Sequence, residues 1–249
     1  MRIAITFDVE RDIPHNLDTC FGIKDGLIKI LDLLDKFHIK GTFFCTGNIA
    51  EDFPKMIRLI EEKGHEIACH GLNHERFNKL NLEKCYEIIY ENKVILQNLC
   101  QNSKIIGFRA PYLKPPKSIF TVLKNLGFEY DSSIDSKDKL EYFQKFNEKV
   151  QEFYPSKYSI YFRMPYPFLK RKLFKHDLLV LYFHPWEAIN MKKVFIKQTS
   201  RSNAIKNIFF RLDRWLNTGD SFLRKLNNFI QDSMVKKVEF ITLNQLIAS

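Results

Sequence analysis

Gly41-Thr42-Phe43-Phe44-Cys45, then Pro54 to Lys63, then Gly64, then His65-Glu66-Ile67-Ala68-Cys69 running into His70-Gly71-Leu72-Asn73-His74, is the stretch that decides the fold. It reads as strand, helix, stop and strand. Met56, Ile57 and Ile60 fall at helical spacing, and Gly64 stands where a C-cap glycine belongs. Strand and helix alternating in this rhythm require right-handed crossovers, hence a parallel sheet, open or closed into a barrel. In both forms ligands bind outside the carboxyl ends of the strands, which is where His70 falls. On a helical turn, His70 and His74 would project to one side and suit a single metal ion. Seven histidines in a chain of this length give such a pair by chance ~0.2 times, so the pair alone is a weak signal.

Upstream, Arg2-Ile3-Ala4-Ile5-Thr6-Phe7-Asp8 reads as a first buried strand ending on Asp8-Val9-Glu10. Period-two alternation places Asp8 and Glu10 on one face and Val9 on the other. Adjacent carboxylates repel unless a cation lies beside them; the bland alternative is an exposed acidic strand end. Leu27, Ile30, Leu31 and Leu34 make an apolar helical stripe across residues 24 to 37.

Downstream, a helix is predicted over about Leu82 to Leu99. A fourth strand, Lys104 to Phe108, enters Arg109-Ala110-Pro111-Tyr112. An arginine at a strand end beside carboxylates can fix a charged base, and Pro111 stiffens the turn that presents the Tyr112 amide. A helix over about Lys117 to Leu126 stops at Gly127, and Phe128-Glu129-Tyr130 leads into Asp131-Ser132-Ser133. Residues 135 to 158 lack a period and read as an excursion over the barrel mouth. Ser159 to Arg163 reads as a returning strand. The apolar run Leu178 to Phe183 is a strand buried on both faces and stops at His184-Pro185-Trp186-Glu187. Two amphipathic helices, Ser202 to Asn217 and about Ser221 to Ser233, form a basic segment, with Gly219 and Asp220 as C-cap and N-cap between them. Val238 to Thr242 is a last strand and Leu243 to Ile247 a closing helix.

The 249 residues are 45% hydrophobic, enough for one full core, and the chain is expected to be a single domain over 1–249. Five cysteines, Cys20, Cys45, Cys69, Cys85 and Cys100, contain no C-x-x-C pair, which argues against a disulfide framework or a zinc ribbon. With no signal-peptide core before the first strand and no apolar run of spanning length, the expected location is cytoplasmic. The net charge is +10, and eleven Lys and Arg against three Asp lie between Asn190 and Lys237. A phosphorylated or lipid-linked substrate, or an anionic membrane surface, fits that end as well as nucleic acid does.

Taken together, Thr6-Phe7-Asp8-Val9-Glu10, His70-x-x-x-His74, Arg109-Ala110-Pro111-Tyr112, Asp131-Ser132-Ser133 and Tyr182-Phe183-His184 resemble, in order, the five motifs of the polysaccharide deacetylase family. These are the NodB-homology enzymes of carbohydrate esterase family 4. The likeness is strongest to the branch with D-V-E and H-P-W-E motifs, matched by His184-Pro185-Trp186-Glu187, and Tyr161 to Tyr166 resembles its R-x-x-P-Y stretch. Single motifs are weak; five in order are strong.

The resemblance implies an α/β fold, a distorted (β/α) barrel of about seven parallel strands. It also implies one divalent metal, zinc first with cobalt, nickel, manganese or iron as alternatives, held by His70, His74 and one first-motif acid. Same-face geometry favours Glu10 as ligand and Asp8 as general base. The alternatives are Asp8 as ligand and a part for nearby Asp12. By the same resemblance, Arg109 orients Asp8, the Tyr112 amide holds the oxyanion, and His184 protonates the departing amine with Asp131 as its carboxylate. Tyr182 lines the acyl pocket, Trp186 stacks on a sugar ring, and Arg163 belongs to the substrate site.

The implied activity is metal-dependent removal of an N-acetyl group from an amino sugar, on a nucleotide- or lipid-linked precursor inside the cell. Peripheral contact with the anionic inner membrane face is a further expectation; nucleic acid is not expected as a partner. The competing readings are a deformylase or other non-peptide amide hydrolase, and a catalytically silent barrel that binds glycans or membranes.

Overall fold

The computed structural model describes residues 1–13, 17, 19–116, 118–134, 150–156, 162, 174, 176–198 and 215–248. Strand parity organises them. In β1 (Arg2–Val9), Ile3, Ile5, Phe7 and Val9 join a large core shared with Leu27, Ile30, Leu31 and Leu34 of the first long helix, α1 (Leu27–Lys36). Ala4 belongs to a second, smaller core with Phe44, Ala68, Tyr130 and Val180. The odd positions of β1 therefore face the surrounding helices, and the even ones face the inside of a curled sheet.

That sheet runs through β2 (Thr42–Cys45), β3 (Glu66–Cys69), β4 (Gly107–Phe108), β5 (Tyr130–Asp131), β6 (Gln151–Glu152) and β7 (Leu178–Phe183) in the order β6-β5-β4-β3-β2-β1-β7. All pairings along it are parallel. A short β8 (Glu239–Phe240) pairs with the start of β1, and β2 pairs with its later half, Thr6 to Val9. The two ends of the path meet where Pro155 bridges Val180, with Ser156 N donating to Val180 O at 2.7 Å. This is the expected distorted (β/α) barrel, with seven parallel strands along its wall among the described residues.

The register stacks the even positions in layers. Thr6 lies beside Thr42, Thr42 beside Glu66, and Thr6 beside Tyr182. At the floor, the Glu66 carboxylate accepts from Thr42 Oγ1 at 2.6 Å, Tyr130 Oη at 2.7 Å and Asn244 N at 3.1 Å. Leu243 N donates to Thr42 Oγ1 at 3.0 Å, so the closing helix Leu243–Ala248 is stitched onto the barrel floor. Burial pushes the Glu66 carboxyl above the usual carboxylate range, against the pull of these donors. Tyr130 can cross the barrel because residue 107 is glycine: a Cβ there would lie 2.0 Å from Tyr130 Cζ.

Several local expectations change. β4 is two residues long instead of five, because Ile105 N leaves the ladder to donate to Gln97 Oε1 at 3.2 Å. A short helix not anticipated from the sequence, α2 (Gly47–Asp52), precedes α3 (Pro54–Glu62). The last part of the 135–158 excursion returns to the barrel wall as β6, pairing with β5. The strand expected over Ser159 to Arg163 and most of the helix over Ser202 to Asn217 lie outside the described residues, Arg163 included. The second helix of the basic pair runs Asp220–Val235 and buries Phe222, Leu226, Phe229 and Ile230 as expected.

Replacing Glu66 by Ala leaves two buried hydroxyls and an amide without their acceptor. Urea denaturation should show a loss of about 3 kcal/mol of stability, by the usual cost of orphaned buried donors; a loss below about 0.5 kcal/mol would mean that the floor network carries no weight.

Candidate metal centre and active site

Three side chains from two distant segments meet at the carboxyl ends of β1 and β3. One ligand atom each from Glu10, His70 and His74 lies within 4.8 Å of the others, and all three residues are buried. Glu10 Oε2 is 2.6 Å from His74 Nε2 and 3.4 Å from His70 Nε2. The rings do not meet on a helical turn as the i, i+4 spacing suggested. Residues 70–74 form a loop in which Gly71 (φ 76) and His74 (φ 57) adopt left-handed backbone. The first amides of α2 hold it, Gly47 N donating to Gly71 O and Asn48 N to Leu72 O, both at 3.0 Å. Glu75 holds it from the other side, accepting from Asn73 N at 2.7 Å and Leu72 N at 3.0 Å. Asn92 of α4 (Leu82–Leu99) accepts from His70 N at 3.2 Å and donates to Cys45 O at 3.3 Å.

His70 Nδ1 lies 2.8 Å from the Arg109 carbonyl; donating to it leaves Nε2 unprotonated and turned to the cluster, the arrangement that tunes metal-bound imidazoles. Burial alone would raise the Glu10 carboxyl, but the His74 charge and close contact with both rings hold it well below the usual carboxylate range. His70 is raised: burial opposes, and the Asp8 and Glu10 charges prevail. Glu10 Oε2 is buried and accepts no hydrogen bond. A carboxylate oxygen in that state, facing two imidazole nitrogens, fits a divalent cation of the zinc type. Three protein ligands leave a position for water or substrate.

Asp8 stands next to this cluster, its Oδ2 3.9 Å from His70 Nε2. Its other oxygen, Oδ1, accepts from Arg109 Nη1 at 2.7 Å. Arg109 has no exposed surface. It also donates from Nη1 to Thr6 Oγ1 at 2.8 Å, from Nη2 to Ser132 Oγ at 2.9 Å and from Nε to Ser132 O at 3.0 Å, and lies over the Phe44 ring at 4.0 Å. Asp12 is occupied elsewhere: its carboxylate accepts from Phe21 N at 2.6 Å, Gly22 N and Thr19 Oγ1 at 2.8 Å, which makes it a loop anchor. On the remaining side, His184 Nε2 is 3.6 Å from Glu10 Oε1. Tyr182, half-buried, has its ring 5.7 Å from the Arg109 guanidinium carbon. Tyr112, at φ 61, packs its ring edge-on to His74 at 4.4 Å.

The polysaccharide deacetylase family model matches residues 1–130, slightly more than half of the chain. The chain belongs to the polysaccharide deacetylase family. It is 26% identical over 136 residues to the peptidoglycan deacetylase of Helicobacter pylori, covering 55% of this chain and 45% of that one. It is 33% identical over 114 residues to the peptidoglycan-N-acetylglucosamine deacetylase of Bacillus cereus, covering 46% and 35%. The chain thus spans less than half the length of these curated relatives. In structure it is similar to the family 4 carbohydrate esterase from Streptomyces lividans, with a TM-score of 0.62 at 12% identity, over 96% of this chain and 91% of that one. That likeness establishes the polysaccharide deacetylase barrel as the fold.

Within this family frame, two expected roles change. The carboxylate beside His184 is Glu187, not Asp131: Glu187 Oε1 lies 3.1 Å from His184 Nδ1 and accepts from His184 N at 3.0 Å. Glu187 sits three residues after His184 on a 3-10 turn, so its side chain folds back as in a capping box. The H-x-x-E spacing from His184 to Glu187 is the signal in the sequence that could have identified it. Trp186 does not offer a sugar platform. It has no exposed surface, stacks on His184 at 4.9 Å and packs among Ile13, Leu17, Ile189, Met191 and Phe195.

Asp131 instead accepts from Ser133 Oγ at 2.6 Å, and Ser133 Oγ accepts from Ala110 N at 2.7 Å, which fixes the turn after β4. Glu152 is its neighbour in register. Glu152 Oε2 is buried without a donor, which a proton shared with Asp131 would supply. Burial, then the Asp131 charge, raises Glu152 well above the carboxylate range; burial also raises Asp131. An acid raised in the folded state contributes stability that is complete below its unfolded value, near 4.5, and is lost as pH rises through the folded one. Melting temperatures from about pH 5 to about pH 9 should therefore fall for the wild type and stay nearly level for Glu152→Gln, which keeps a donor and has no proton to lose; parallel curves would exclude the shared proton.

Proposed function

We propose that this chain is a metal-dependent N-deacetylase that removes the acetyl group from an amino sugar, in a glycan or on its nucleotide- or lipid-linked precursor. The observation that carries this reading is the convergence of an Arg109-held Asp8 and a Glu187-held His184 on the Glu10, His70 and His74 cluster. The names of the curated relatives, peptidoglycan deacetylases, support the substrate class. The net charge of +10 supports an acidic carrier, and five free cysteines support a reducing compartment.

A divalent ion held by Glu10, His70 and His74 would supply Lewis acidity, polarising the acetamide carbonyl and easing loss of a proton from water. Asp8 takes that proton through Oδ2, because Oδ1 is committed to Arg109. Arg109 keeps the carboxylate in one rotamer. As the oxygen of water bonds to the carbonyl carbon and the carbon–nitrogen bond breaks, His184 Nε2 gives its proton to the departing nitrogen. Nδ1 is held by Glu187 and the ring lies flat on Trp186, so Nε2 keeps its aim. The products are acetate and the free amine. The Tyr112 turn closes the His74 side of the cluster, and Tyr182 forms the wall beside Arg109.

His70→Ala should lose both the bound metal and acetate release from N-acetylated sugars. Asp8→Asn should keep the metal and lose about 10²- to 10⁴-fold in turnover, the usual share of a general base. Metal analysis with an acetate-release assay reads both, and chelation followed by zinc return should abolish and restore activity. Asp8→Asn protein that stays active would remove Asp8 from the reaction. Glu187→Ala should lower kcat by about 10-fold or more with little change in KM, because it loosens the acid and not the substrate; an unchanged kcat would leave His184 without need of its partner.

A further inference from the structure

Beside the metal cluster stands a cation that the proposed chemistry does not use. Arg76 is exposed and, among the described residues, its only contact of note is with the Tyr112 ring, whose centroid lies 4.4 Å from its guanidinium carbon. It has no carboxylate partner there. The acid next to it in sequence, Glu75, is committed to the amides of Leu72 and Asn73. The Tyr112 ring that carries the guanidinium also touches His74, with ring centroids 4.4 Å apart. Two contacts of 4.4 Å through one ring thus keep the guanidinium carbon close to the His74 ring.

The platform is built at a cost: Tyr112 (φ 61) and Leu113 (φ 54) are consecutive non-glycine residues in left-handed backbone, and His74 (φ 57) is a third. Strain held at three positions around one contact is the mark of a place where side-chain aim matters. A guanidinium stacked flat on an aromatic ring keeps its in-plane donors free, and those donors match the two oxygens of a carboxylate or phosphate.

Resting on the deacetylase reading for the position of the reacting sugar, we propose that Arg76 and Tyr112 form a subsite for an oxyanion, a carboxylate or a phosphate, carried on or next to the sugar whose acetamide is cleaved. The substrate class is then an acidic N-acetylated glycan or sugar phosphate, and Arg76 sets the preference for it over neutral relatives.

Calorimetric binding to zinc-loaded Asp8→Asn protein, which keeps the metal and turns over slowly, tests this apart from catalysis; acetate release is read separately on the wild type. One probe pair is the neutral tetramer of N-acetylglucosamine against the tetrasaccharide alternating N-acetylglucosamine and N-acetylmuramic acid; the other is N-acetylglucosamine against its 1-phosphate. With Arg76 intact, that protein should favour the acidic member of at least one pair by about fivefold, and the pair that responds identifies the oxyanion. The preference should shrink as salt is raised, drop to about one in Arg76→Gln and stay intermediate in Arg76→Lys, which keeps the charge and loses the planar fork. No preference in either pair, or one that survives in Arg76→Gln, overturns the subsite. Arg76-dependent binding without acetate release from the same probes would keep the subsite and sink the deacetylase reading; acetate release without acidic preference would do the reverse.

Discussion

A guanidinium with no access to water lies inside the barrel, and the arrangement around it sets the geometry of the site. An unpaired charge there would cost several kcal/mol or more, so Arg109 must find acceptors from whatever surrounds it. It takes Asp8 and Thr6 from β1 and the backbone and side chain of Ser132 from the segment after β5. Opposite walls of the barrel are thereby fixed relative to each other at the level of the Asp8 carboxylate. Breaking the pair from either side would leave a buried charge. The position of Asp8 beside the imidazoles is thus tied to the packing of the barrel walls.

The inside of the barrel is divided by height. Glu66, Thr42 and Tyr130 close the floor in a hydrogen-bonded set sealed by the last helix. Ala4, Phe44, Ala68 and Val180 pack into one apolar cluster with Leu243 and Leu246 of that helix. Asp8, Glu10, His70, Arg109 and His184 stand at the carboxyl ends of their strands. The floor and the rim are both polar sets, and both hold carboxyls displaced from their ordinary range. The floor is satisfied entirely by protein donors, whereas the upper set leaves Glu10 Oε2 without one. An oxygen in that state fits a cation, and this asymmetry sets the rim apart from the floor.

Much of this was legible before any coordinates. Alternation in residues 2 to 10 places Asp8 and Glu10 on one face and Val9 on the other, and the order of strands and helices requires a parallel sheet with ligands at one end. Local regularity is what made those elements readable: β1, β7 and α4 carry long periodic signals. What failed was local or short. The loop of residues 70–74 reaches the right metal geometry through two left-handed residues and the amides of α2, information that i, i+4 spacing does not contain. β6 is two polar residues, Gln151 and Glu152, too short to show a period. Trp186 was assigned by residue type to a sugar, but the side chains that bury it are spread across Ile13, Leu17 and Phe195, which only the fold brings together.

The exchange of partners between His184 and Asp131 follows the same logic of reach. A carboxylate three residues along a 3-10 turn meets its histidine through local backbone geometry and orders few additional bonds. A carboxylate on a distant strand end must be brought there by the whole barrel. With Glu187 in place, the imidazole has its acceptor, and Asp131 accepts from Ser133 and stands beside Glu152. That second set holds Ala110, and with it the turn that carries Tyr112 against His74. The acid that the motif order assigned to proton transfer therefore acts here through backbone position: it braces the turn after β4, and the proton donor is oriented by its own loop.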